Sequence, residues 1–407
     1  MDKSGKKIFG FNRNVFFLGL VSFFNDFSAE MVQSVMPAFI TTVLGAPAFF
    51  VGLIEGVADA LSSALKLFSG WFSDKINRRK LPSVVGYAIS VAIRPLLSLV
   101  GSFWQVFELR VVDRIGKGLR DSPRDALIAQ SVDKSELGKS FGFHRSLDTL
   151  GATLGPLLAF FLLPFLGNNY RHLFLVAFFI GLFAIFSFVF VKEKRTVAGG
   201  QNSSVPPVAE KPKLNFALLK ENKKFALVVF SIFVFGMGTL PILLVILKAK
   251  EVGFPVAALP FVYFIYSLAF VLTAIPLGRL SDRIGERAVI AGGFLVAALS
   301  YFGLARVPSK WAVLFFVALG LYSAATDGLE RALAAKHLAD NVLATGQGFL
   351  NMAIGFSSLF AGVIGGLLWT KINSSAALIY AGIFSVIGLV IFIHVTSERN
   401  GRKGGPV

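Results

Sequence analysis

Gly70-Trp71-Phe72-Ser73-Asp74-Lys75-Ile76-Asn77-Arg78-Arg79-Lys80 returns later in the chain as Gly278-Arg279-Leu280-Ser281-Asp282-Arg283-Ile284-Gly285. The two stretches hold the same place in a longer repeat. Residues 45–79 overlay 253–287 without a gap: Gly45 falls on Gly253, Pro47 on Pro255, Gly70 on Gly278, Ser73-Asp74 on Ser281-Asp282, Ile76 on Ile284 and Arg79 on Arg287. A looser match sets Gly118-Leu119 on Gly328-Leu329. The order and near-constant spacing of these matches point to an internal duplication.

What surrounds the repeat is apolar. The chain has 407 residues, 55% of them hydrophobic and only 15% charged, with a mean hydropathy of +0.71. Soluble domains run near 45–50% apolar and about 25% charged. The apolar residues fall in runs long enough to cross a bilayer. Twelve helices are read at about 15–43, 48–72, 81–101, 104–128, 140–165, 172–191, 224–248, 256–278, 287–305, 311–333, 345–369 and 375–395. Lipid leaves no water to satisfy backbone groups, so such runs are helical, and the short alternating segments of a membrane barrel are missing. The predicted fold is an all-α polytopic membrane protein of two six-helix repeats. Its parts are an N-terminal bundle over 1–191, a linker over 192–223, a C-terminal bundle over 224–398 and a tail over 399–407. The linker carries Gly199-Gly200, Ser203-Ser204 and Pro206-Pro207, a flexible composition.

The net charge of +17 would suggest nucleic acid in a soluble chain. Here it gathers in loops: Lys3, Lys6, Lys7 and Arg13; Lys75, Arg78, Arg79 and Lys80; Lys192, Lys194, Arg195, Lys211, Lys213, Lys220 and Lys223; Arg399, Arg402 and Lys403. The loops near Gly45 and Gly167 are short and almost uncharged. Both termini are therefore expected in the cytoplasm, with a bilayer and no nucleic acid as partner. The first apolar run, Val15 to Val43, is too long for a signal-peptide core and is expected to stay as the first helix. With no cysteine and four histidines, thiolate metal sites and disulfides are ruled out.

The loop after the second helix resembles the G-x-x-x-D-[RK]-x-G-[RK]-[RK] loop of the major facilitator superfamily, with Asn77 where the glycine usually stands. Asn tolerates a left-handed backbone. In that family the loop is a conformational latch, which carries the role onto Gly70, Asp74, Arg78 and Arg79 and onto Gly278, Asp282 and Arg283. Asp74 is suited to a neighbouring helix N-terminus. A plain topology signal would use the same basic residues. Gly151-Ala152-Thr153-Leu154-Gly155-Pro156 resembles the fifth-helix element of the family's antiporters, through Gly151, Gly155 and Pro156; a packing face alone would also use small residues four apart. Arg110 to Arg120, followed by Pro123-Arg124-Asp125, is similar to the family's fourth-helix element but more charged. With Asn25-Asp26-Phe27-Ser28-Ala29-Glu30-Met31 it resembles a drug/proton antiporter-like branch and bacterial efflux permeases of the nickel-resistance type.

Ionisable residues inside a span cost roughly 2.5–3.5 kcal/mol each on insertion scales and persist where they pair or line a cavity. The first half is rich in them: Asp26 and Glu30 on one face of the first helix; Glu55, Asp59 and Lys66 on one face of the second; Arg94 on the third; Glu108, Arg110, Asp113 and Arg114 on the fourth; Arg145 and Asp148 on the fifth. The counterparts of Glu55, Asp59 and Lys66 are Tyr263, Ser267 and Ala274, and in the second half only the tenth helix keeps Asp327, Glu330 and Arg331. One cluster near mid-membrane is expected from Asp26, Glu30, Glu55, Asp59, Asp113, Lys66, Arg94, Arg110 and Arg114. A clustered carboxylate can load and release protons near neutrality, and Asp59 leads as the coupling acid, ahead of Asp26, Glu30, Glu55 and Asp113. Fixed salt bridges are the competing account.

These features describe a secondary active transporter, most simply a proton-coupled antiporter that exports a small molecule (drug-like, cationic, or a metal or metal complex) by alternating access. It is expected to work as a monomer in the bacterial cytoplasmic membrane. An importer or symporter of an anionic metabolite, using the arginines, is the alternative. Nothing resembles an enzyme's nucleotide loop or nucleophile. The proton gradient is the expected energy source, with no cofactor, and metal ligation is left open.

Overall fold

A computed structural model describes residues 7–75, 79–133, 136–193, 217–307, 311–336, 338 and 343–397. Its helices are α1 (Arg13–Ala38), α2 (Ala48–Lys75), α3 (Lys80–Leu99), α4 (Phe103–Ser131), α5 (Leu137–Phe165), α6 (Tyr170–Ser187), α7 (Ala217–Glu221), α8 (Lys223–Met237), α9 (Ile242–Glu251), α10 (Leu259–Ile284), α11 (Glu286–Arg306), α12 (Ala312–Ala335), α13 (Leu343–Lys371) and α14 (Ser374–Ser397). A two-residue hairpin, Lys7–Ile8 with Phe11–Asn12, precedes α1. Among the described residues, 11 helical segments are long and apolar enough to cross a membrane. The chain is an all-α polytopic membrane protein, as its sequence predicts.

Local chemistry sets the helix ends. The Asn12 side chain accepts from the Asn14 amide at 2.9 Å and caps α1. Ser102 and Gln105 form a reciprocal capping box at the start of α4. Gly45 and Gly253, which overlay in the repeat, both take a left-handed φ, +64° and +99°, so the duplicated loops share a turn that favours glycine. After Pro37, α1 widens into a π-turn over Phe39–Val43.

The expected seventh helix differs. The continuous span read at 224–248 is broken between α8 and α9 at Gly238-Thr239-Leu240-Pro241. Pro241 has no amide hydrogen to continue the ladder. The Tyr380 hydroxyl donates to the freed Met237 carbonyl at 2.8 Å, which removes an unsatisfied acceptor.

The chain forms two compact units: Met1–Gly45, Leu61–Lys213 and Val256–Phe264; and Ala46–Ala60, Leu214–Pro255 and Ile265–Val407. The first turns of α2 thus group with most of the second half, and the start of α10 with most of the first. In the first unit α1 packs on α5 and α6, and α3 on α4 and α6. In the second, α8 packs on α13 and α14, and α11 on α12 and α14. The pairing is the same when helices are matched by the repeat, so the duplication read from glycines is also a duplication of packing. The linker residues 194–216 and the tail after 397 lie outside the described residues.

Close packing in the second unit depends on glycine. A Cβ on Gly52 of α2 would run into the Gly362 carbonyl of α13, and one on Gly362 into the Gly52 carbonyl. Backbone cannot yield as a side-chain tip can. Gly362→Leu is expected to lower stability by about 2 kcal/mol, read as a lower unfolding temperature in detergent. A wild-type transition would show that the two helices separate freely.

Candidate functional site

The polar centre of the first unit forms where α1 lies along α5. A Cβ on Gly155 would sit 2.5 Å from the Phe27 carbonyl oxygen, and one on Gly151 would run into that of Phe23. Only bare backbone permits this approach, which draws the acids of α1 and α5 together. Asp26 and Asp148 are side-chain hydrogen-bond partners. Two carboxyl groups can share a hydrogen bond only when one holds the proton. The Asp26 Oδ1 also accepts from Asn25 Nδ2 at 2.8 Å and lies 3.8 Å from Arg120 Nη2. The Asp148 Oδ1 accepts from the Ser22 hydroxyl at 2.5 Å and its Oδ2 from Arg145 Nη1 at 3.2 Å.

A cationic wall faces this pair from α4. Arg120 stacks on the Tyr87 ring at 4.3 Å and contacts Asp121 at 3.5 Å. Arg124 donates to the Tyr87 hydroxyl at 3.3 Å and pairs with Asp125 at 2.9 Å. Arg110 pairs with Asp113 at 3.4 Å. Arg110, Arg114 and Lys117 are near enough to Glu30 to act on its charge. Glu30 Oε2 accepts from the Tyr263 hydroxyl at 2.8 Å.

Arg94 is held by more than the charges of Asp113 and Asp26, which act on it. It is 3% exposed, and its Nη2 donates to the backbone and side-chain oxygens of Asn25 at 3.0 and 2.9 Å. Its Nη1 lies against Gly181 of α6, where a Cβ would collide with it. The residue therefore ties α3 to α1 and α6. Arg94→Lys is expected to cost about 2 kcal/mol, because an ammonium cannot reproduce the planar fork. Thermal unfolding of the purified variant tests this, and an unchanged midpoint would refute it.

Asp26, Glu30, Asp113, Arg94, Arg110 and Arg114 belong to the first unit, whereas Glu55 and Asp59 belong to the second. There Glu55 is 5% exposed, and Asp59 accepts from the Ser358 hydroxyl of α13 at 3.1 Å. α2 stays helical through Lys75, but what Lys66, Gly70, Asp74 and Arg78 touch lies outside the described residues. At the far side of that loop the Arg79 and Lys80 amides both donate to Glu193. In the repeat copy, Gly278 has no atom within 4 Å of where a Cβ would stand, and Asp282 and Arg283 are exposed. Among the described residues no group of three or more His, Cys, Asp or Glu side chains could hold a metal ion.

The model of the major facilitator superfamily matches residues 18–265 and, again, 226–406. The chain belongs to the major facilitator superfamily. This superfamily member is thus a transporter and not an enzyme. It is 31% identical over 385 residues to the uncharacterised MFS-type transporter MJ1317 of Methanocaldococcus jannaschii, covering 94% of this chain and 95% of that protein. It is 25% identical to the multidrug resistance protein MdtG of Dickeya zeae over 94% and 92% of the two chains. In fold it is similar to a peptide transporter (POT), with a TM-score of 0.79, 14% identity and 98% of each chain covered. The nucleoside transporter NupG gives 0.78 at 17% identity, over 94% of this chain and 99% of that one. α4 is too charged to count among the 11 apolar segments, yet it takes its place in the superfamily architecture. The fourth helix packs on the third in this unit as α12 packs on α11 in the other.

Several members of the site were not singled out from sequence. Asp148 was counted only as a charge on its helix, and Arg120 and Arg124 only as letters of a charged motif. Their signal was the Arg145/Asp148 spacing and the run of charges after Lys117. Tyr263 is marked only as the repeat counterpart of Glu55, and Tyr87 only as a hydroxyl in an apolar span.

Proposed function

We propose that the chain is a proton-coupled antiporter, driven by the proton gradient, that exports a small molecule by alternating access. It works as a monomer in the bacterial cytoplasmic membrane with both termini inside. Its cargo is cationic: an amphipathic drug-like molecule, or a metal ion or complex. The observation that carries this reading is the hydrogen-bonded Asp26/Asp148 pair. A cation entering beside the pair favours its ionised form and expels the shared proton. Cargo and proton then compete, which is the thermodynamic core of antiport. The likeness to MdtG, named a multidrug resistance protein, supports export.

A second reading has its own observation. Arg110, Arg114, Lys117 and Arg120 lie along α4, and an anion would gain from them most when the pair is protonated. Proton and anion would then bind together, giving symport of an anionic metabolite. Cargo charge and the direction of proton movement are linked, so one experiment separates the readings. Proteoliposomes holding a trapped pH dye are given divalent metals, metal chelates, cationic drugs and organic anions in turn. Proton movement opposite to a cationic cargo supports antiport. Proton movement along with an organic anion supports symport and overturns the proposal.

A further inference from the structure

Asp148 is approached along its own helix by a group that the carboxyl pair does not engage. His144 lies one turn before it on α5, so the two side chains share a face. The imidazole is 4% exposed, and its Nε2 has no hydrogen-bond partner. A buried polar atom left unmatched is costly, and a role in proton transfer is one explanation for such a group. The charged groups facing the ring are Arg124 and Asp121 of α4 and Arg145 and Asp148 of α5. From α1, Ser22 and Asp26 reach Asp148. Arg124 is held by Tyr87, Asp121 and Asp125, and Arg145 reaches back to Asp148 while its side chain is 66% exposed. Phe141 and Gly142, just before the imidazole, are exposed. His144 thus lies on α5 between the exposed, charged Lys139 near the helix start and the carboxyl pair.

We propose that His144 transfers protons between the Asp26/Asp148 pair and the solvent at the N-terminal end of α5. The inference rests on the reading that the pair holds the coupled proton. A neutral imidazole has one donor and one acceptor nitrogen. It takes a proton on one nitrogen and releases the other nitrogen's proton, so each passage leaves its charge unchanged. The proposed passage between the imidazole and the Asp148 carboxyl runs through water.

The test needs no cargo. The purified full chain in detergent is subjected to a rapid pH drop while the protonated-carboxyl infrared band is followed, the pair's band being the one lost in Asp148→Asn. His144→Gln and His144→Asn are expected to keep the band's final amplitude and slow its appearance by about tenfold or more. Imidazole added to the buffer is expected to restore the rate. An unchanged rate in both variants overturns the proposal, as does a slow rate that imidazole leaves unrestored. If the wild-type chain has no band that Asp148→Asn removes, the pair holds no proton. The coupling reading then falls and takes the relay with it, an outcome distinct from a normal band with an unaltered rate.

Discussion

Asp148→Asn is expected to reduce cargo-driven proton movement by about a hundredfold or more, while exchange of cargo across vesicles at equal pH stays within about threefold of wild type. The asparagine amide still donates to Asp26 and still fills the space beside Ser22. What it cannot do is share a proton with a second carboxyl. Asp26 is then left with Arg120 at 3.8 Å and the Asn25 amide at 2.8 Å. Dye-loaded proteoliposomes measure the proton flux, and labelled cargo measures the exchange. Proton flux equal to wild type would remove the pair from the coupling step. Asp59→Asn is the matching control. Asp59 meets a neutral hydroxyl, that of Ser358, and an asparagine oxygen accepts from it equally well. Proton flux lost in this control and retained in Asp148→Asn would return the coupling role to the second helix.

Gly155→Leu is expected to cause the largest loss of stability, about 3 kcal/mol or more. Its Cβ would stand 2.5 Å from the Phe27 carbonyl oxygen and 2.9 Å from the Met31 amide nitrogen. Both are backbone atoms of α1, so the helices must separate along their whole contact. Separation also parts Asp26 from Asp148, and proton coupling should fall together with the unfolding temperature. Gly142→Ala on the same helix is the control, because nothing lies within 4 Å of that position. A Gly155→Leu chain that unfolds with the wild type would contradict the packing argument. The antiporter-like element of the fifth helix thereby gains a physical meaning: its glycines set the distance between two acids.

The architecture was legible because its signals are local and repeated. Apolar runs mark the spans, and the overlay of Gly45 on Gly253 and Gly70 on Gly278 marks the halves. The break at Gly238 to Pro241 is hidden in the sequence because the flanking segments are apolar enough to pass as one helix. The site was less legible for a different reason. Spacing on one helix shows which residues share a face, as it did for Asp26 and Glu30. It does not show which face of a second helix comes opposite, or at what register. That register was fixed by Gly151 and Gly155 against Phe23 and Phe27, a contact between carbonyl oxygens and missing side chains. Arg94 lies within reach of the charges of Asp113 and Asp26, but its hydrogen bonds go to the two oxygens of Asn25, a partner that charge alone does not point to. α2 contributes to both units, with Asp59 in the second, a division that the spacing along one helix does not show.

The charges of α4 also bear on how the protein is made. Alone in lipid, a 29-residue helix carrying Arg110, Asp113, Arg114, Lys117, Arg120, Asp121 and Arg124 is a poor candidate for insertion, at roughly 2.5–3.5 kcal/mol per central charge. Its partners come partly from earlier in the chain: Tyr87 of α3 beneath Arg120 and Arg124, Gly86 of α3 against Gly116, and Asp26 of α1. A nascent chain stopped at Ser131 already contains these contacts but lacks Asp148. The fourth helix is therefore expected to enter the membrane as the second arm of a hairpin with α3, held by neighbours already in place, with α5 then bringing Asp148 to Asp26 before α6 closes on α1 and α3.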